Sequence, residues 1–124
     1  MTAEEQIKAL MKVGCEDAVQ EIGDNGNCPL SSDRLDYHIE IAISTGLVAR
    51  VETLVAIKGT ALTGPQVERL TKVCLKLEWI VDALSASKLG IVSEQTRQEL
   101  IKALIAGQIA DSQEQAVELL DDKE

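Results

Sequence analysis

Residues 32–58 and 65–88 are two stretches of similar length, and each carries an apolar rhythm long enough for one extended amphipathic helix. In the first, Leu35, Ile39, Ile43, Leu47, Val51 and Leu54 recur at intervals of four, four, four, four and three. That spacing keeps a stripe on one side of a helix with about 3.6 residues per turn. In the second, Val67, Leu70, Cys74, Leu77, Val81 and Leu84 alternate threes and fours, and Val73 and Ile80 widen the stripe. The connection, residues 59–64, has glycine at both ends, and Pro65 is placed where a helix tolerates a missing amide, in its first turn. Matched lengths and a short connection predict an antiparallel pair. The expected fold is all-α, a five- or six-helix bundle built around a long antiparallel helical hairpin.

The stripe of the first rod passes Gly46 without a change of phase, so one helix bent at Gly46 is expected rather than two broken there. A second stripe on this rod, Tyr37, Ile41, Val48 and Val55, makes it apolar on two sides. Such a helix is central in a bundle or lies at a subunit interface, so these four residues are the candidate core or dimer face and a homodimer is expected.

Around the hairpin, Thr2 and Glu5 form a capping box for a helix over residues 3–22, weakened by Gly14. Residues 23–29 hold two glycines, two asparagines and a proline and read as a loop. Ser93 caps a helix that Gly107 ends, and an acidic cap at Asp111 and Glu114 precedes Ala116, Val117 and Leu120. Residues 89–94 and 106–112 share one device, a glycine stop followed by an aliphatic plug and a polar cap. They read as two local turn solutions rather than a repeat. One helical domain is expected over residues 1–120, with a disordered acidic tail at 121–124.

Composition narrows the function classes. With no Phe, one Trp and one Tyr, the core is aliphatic and offers few large anchors for a ligand cavity. The net charge is −9, yet residues 31–110 carry nine acids and nine bases, so the excess lies at the ends. A neutral middle argues against a phosphate-binding surface, and no direct nucleic-acid contact is expected. No apolar run reaches the roughly 18 residues of a membrane span. The start, Met-Thr-Ala-Glu-Glu, lacks the features of a signal peptide, so a cytosolic location is expected. Cys15, Cys28 and Cys74 are too few and too scattered for a disulfide framework, and Cys74 reads as a small core residue.

Chemistry has little material to work with. His38 is the sole histidine. A zinc site from Cys15, Cys28 and His38 lacks paired-ligand spacing. A calcium loop at Asp24, Asn25 and Asn27 lacks the twelve-residue pattern and its closing glutamate. No phosphate loop, nucleophile elbow or zinc-protease motif occurs, and no cofactor, metal site or catalytic activity is expected. Trp79 falls outside the main stripe of the second rod, with Glu78 and Asp82 beside it. Exposed tryptophan is a frequent binding hot spot. These three residues are the candidate protein-binding site of a small interaction, adaptor or inhibitor protein with a partner of basic character. The alternatives are an acidic decoy occupying a nucleic-acid-binding protein, and an enzyme or metal-binding helical protein.

Overall fold

In the computed structural model, which describes residues 1–121, every regular element among the described residues is a helix. There are eight: α1 (Ala3–Lys12), α2 (Glu16–Asp24), α3 (Ser32–Ser44), α4 (Val48–Lys58), α5 (Gly64–Lys76), α6 (Ile80–Ser87), α7 (Glu94–Ala106) and α8 (Gln113–Asp121). The class is all-α, as expected, but the five- or six-helix bundle around a long hairpin is not formed. Each helix expected to run unbroken is two helices: residues 3–22 break at Gly14, residues 32–58 at Gly46, and residues 65–88 at residues 77–79. The chain divides into two compact units, Met1–Ala61 and Leu62–Glu124, and the two intended rods fall in different units. Residues 122–124 of the acidic tail lie outside the described residues; Asp121 closes α8 and pairs with Arg97 at 3.1 Å.

The breaks share one backbone solution. At the end of α1, Gly14 adopts φ +70° and the Cys15 N–H returns to the Leu10 carbonyl at 3.0 Å. At the end of α3, Gly46 adopts φ +72° and the Leu47 N–H returns to Ala42 at 3.0 Å. At the end of α5, Glu78 takes φ +62° and the Trp79 N–H returns to Cys74 at 2.9 Å. At the end of α7, Gln108 takes φ +60° and the Ile109 N–H returns to Leu104 at 2.9 Å. Each is a left-handed stop whose six-to-one hydrogen bond satisfies a helix-end carbonyl, followed by a residue that covers the turn. Gly14, Gly46 and Glu78 stand 32 positions apart, and Gln108 follows 30 later. The chain is therefore four copies of a helix–turn–helix pattern.

In the first unit, Leu10, Ala18, Ile22, Ile39, Ile43, Val51 and Leu54 are nearly or fully buried. On α1 the apolar Met11 is exposed while the polar Gln6 is buried. Its amide oxygen accepts the Leu30 N–H at 2.9 Å, which ties the loop after α2 onto α1. The Arg50 guanidinium of α4 donates to the carbonyls of Val13 at 3.1 Å and Gly14 at 2.8 Å, holding the α1 stop against α4.

In the second unit, Val67, Leu70 and Cys74 are fully buried as their stripe requires. The break then changes the phase. Leu77 and Val81 turn outward, and Ala83 and Ala86 take over as the buried positions of α6. Glu68 joins α5 to α7: its carboxylate accepts the Ser93 N–H at 2.7 Å and the Ser93 hydroxyl at 2.9 Å, and it also accepts the Thr96 hydroxyl. These bonds, the Thr96 hydroxyl first, hold the Glu68 carboxyl down to about 2.

Candidate functional site

The α5–α6 corner begins with a helix that ends where no glycine is available. Lys76 closes α5, Leu77 caps it, and Glu78 enters the left-handed region. An L-residue there costs roughly 1–2 kcal/mol through crowding between Cβ and the backbone. The corresponding stops after α1 and α3 avoid that cost with Gly14 and Gly46. Trp79 then serves as the N-cap of α6 through its backbone, with no side-chain cap hydrogen bond. Asp82 sits in the first turn of α6, where a carboxylate opposes the positive end of the helix.

Internal comparison separates turn-covering from something further. The residue after the left-handed position is Cys15, Leu47, Trp79 and Ile109 in the four turns. Cys15 is buried, and Leu47 and Ile109 are half-buried. Trp79 leaves 41% of its surface in solvent, with Leu77 at 45% and Val81 at 62% on either side. Among the described residues, neither Glu78 nor Asp82 has a side-chain hydrogen bond or ion pair. The corner therefore combines a strained backbone, an open indole, two aliphatic shoulders and two solvated carboxylates.

A second corner supports the first. A Cβ on Gly107 would lie 2.7 Å from Cδ1 of Ile80, so the α7–α8 turn seats on the residue following Trp79. That turn holds the other non-glycine stop, Gln108. Residue reading in isolation misses Gln108 and the seat on Ile80. The 32-residue spacing from Gly14 to Gly46 to Glu78 is the signal that finds the turns.

Tyr37, Ile41, Val48 and Val55 differ in exposure. Tyr37 and Ile41 are exposed on α3, Val48 is buried at the start of α4, and Val55 is half-buried. Tyr37 is engaged locally. The Arg34 guanidinium carbon stands 4.3 Å from its ring centroid, and His38 meets it edge-on with centroids 5.3 Å apart.

His38 is buried. Its Nε2 lies 3.1 Å from a Glu21 carboxylate oxygen, and Arg34 grips the same carboxylate through two donors at 2.8 and 2.7 Å. The Arg34 hydrogen bond is the main reason the Glu21 carboxyl falls to about 2. His38 and Cys15 line a cleft of about 150 Å³ with Ile41, Thr45 and Arg50. Among the described residues no group of three or more His, Cys, Asp or Glu is placed to hold a metal ion, the set of Cys15, Cys28 and His38 included. Cys74 is fully buried, and burial first, then the Asp82 charge, push its thiol up to about 11.

No described helix is long and apolar enough to cross a membrane. No protein-family model, curated protein or solved structure matches this chain.

Proposed function

We propose that this chain is a small protein-interaction module, acting without catalysis, that docks a partner through the α5–α6 corner around Trp79. The observation that supports it most is the departure of one turn from the other three. Where the pattern elsewhere tucks in its covering residue, the third turn exposes the chain's sole tryptophan; its stop, like Gln108 in the fourth turn, is a non-glycine residue that costs stability. Backbone strain is retained where the side chain that causes it has a use. A half-open indole between aliphatic shoulders is the composition of a binding anchor.

The groups suited to acid–base work are occupied with one another. His38 is turned to Glu21, and Glu21 is held by Arg34. The cleft beside them is small for a substrate pocket, which is commonly about 300–1,000 Å³.

The test compares partner capture by the wild-type chain, Trp79→Ala and Tyr37→Ala, with reconstitution from purified components and unfolding curves for all three. Loss of the reconstituted complex with Trp79→Ala alone, at stability within about 1 kcal/mol of wild type, is the expected result. Equal binding by all three chains would refute the assignment.

A further inference from the structure

We propose that the Trp79 corner receives a lysine or arginine side chain from a basic segment of a partner protein. This rests on the docking reading above and names the chemistry that the docked group must have.

The two accessible aromatic rings of the chain differ in what already covers them. Tyr37 carries Arg34 over its face at 4.3 Å. Among the described residues Trp79 has no such cation, and indole is the ring that binds one best. Glu78 and Asp82 flank the indole in sequence and are both exposed. They have no hydrogen-bond or ion-pair partner among the described residues. Two exposed carboxylates flanking a half-open indole in sequence, against the single nearby Lys76, favour a cation over an anion. The C-terminal end of α5 and the N-terminal end of α6 meet at this corner, so the two helix dipoles oppose each other. Side-chain charge therefore decides the sign. Lys76, in the last turn of α5, is the basic residue beside the corner and offsets one of the two acids.

The shoulders choose among cations. A bare metal ion has no use for Leu77 and Val81, which are 45% and 62% exposed. A lysine or arginine lays its methylenes along such surface and presents its charge at the tip. A phosphate-rich polymer is disfavoured by both the local acids and the net charge of −9.

The sole tryptophan makes a direct assay available. The intact chain is titrated at low salt with end-blocked peptides of equal length, leucine-flanked and carrying lysine, arginine, norleucine or glutamate at the centre. Saturable changes in Trp79 emission are expected with lysine and arginine. Binding should be at least about fivefold weaker with norleucine, the scale of a partly exposed cation–π contact with its carboxylates. Glu78→Gln with Asp82→Asn should weaken the lysine peptide about fivefold and leave the norleucine peptide unchanged. Equal binding of norleucine and lysine overturns the cation assignment and leaves the docking reading intact, and so does preference for glutamate. If no peptide alters emission while Trp79→Ala still abolishes the partner complex, the cation assignment falls alone. If the complex also survives Trp79→Ala, both fall.

Discussion

Replacing Glu78 with glycine perturbs one backbone angle and one carboxylate, and a second substitution separates the two. Glu78 stands at φ +62°. Glycine removes a left-handed cost of roughly 1–2 kcal/mol. It also gives the unfolded chain more freedom, which returns about 0.4–1 kcal/mol. The Glu78 side chain has no partner among the described residues, so its loss adds little. The net expectation is that Glu78→Gly stabilises the fold by about 0.5–1 kcal/mol. Glu78→Ala keeps the strained angle while deleting the carboxylate, and should stay within about 0.5 kcal/mol of wild type. Urea unfolding measures both. The glycine variant should raise the midpoint by about 0.3–0.6 M at an unchanged slope near 1.5–2 kcal/mol/M. If the glycine variant is no more stable than the alanine variant, no strain resides at this turn, and the main support for a functional corner is lost. If it is more stable and also binds the partner less well, stability has been traded for the carboxylate.

The same backbone reasoning applied in reverse to Gly46 (φ +72°) predicts that Gly46→Ala destabilises by about 1 kcal/mol in urea. Glu68→Gln removes the charge that gathers the Ser93 and Thr96 donors at the start of α7; it should cost about 1–2 kcal/mol, measured by the same titration. The Glu21 and Glu68 carboxyls lie at about 2 in the fold, below the ordinary value of about 4.3. Their stabilisation is therefore complete above about pH 4.3 and falls away as pH drops toward 2, so thermal midpoints should decline across that window. Glu68→Gln should flatten part of the decline, and an unchanged pH profile would contradict the hydrogen-bonded assignment. Trp79 emission should be quenched more efficiently by caesium than by iodide, relative to free tryptophan amide, because Glu78 and Asp82 flank it; equal quenching would place the carboxylates elsewhere.

Helical class, the caps at Thr2 and Ser93, and the buried runs from Leu35 to Ile43 and Val67 to Cys74 were legible from periodicity and local hydrogen-bonding chemistry. Those depend on residues three or four apart. The candidate residues Glu78, Trp79 and Asp82 stand out in the sequence as an outlier of composition beside a stripe, though the corner that presents them does not. In the middle of the second rod nothing local says stop: residues 76–79 contain neither glycine nor proline. Glutamate enters the left-handed region only because the rest of the unit repays it, through the burial of Ala83 and Ala86 on α6 and the seat of the α7–α8 turn on Ile80. A periodicity stripe also cannot register a break that keeps its phase, as at Gly46, since an unbroken helix and a helix–turn–helix then show the same spacing. What the amino-acid order determined alone was where α1, α3, α5 and α7 start and which of their sides are apolar. Where α5 stops, and how much of Trp79 is left in water, was decided by packing between elements distant in the chain, because a left-handed L-residue is unfavourable by itself and is tolerated only when the contacts it permits outweigh its cost.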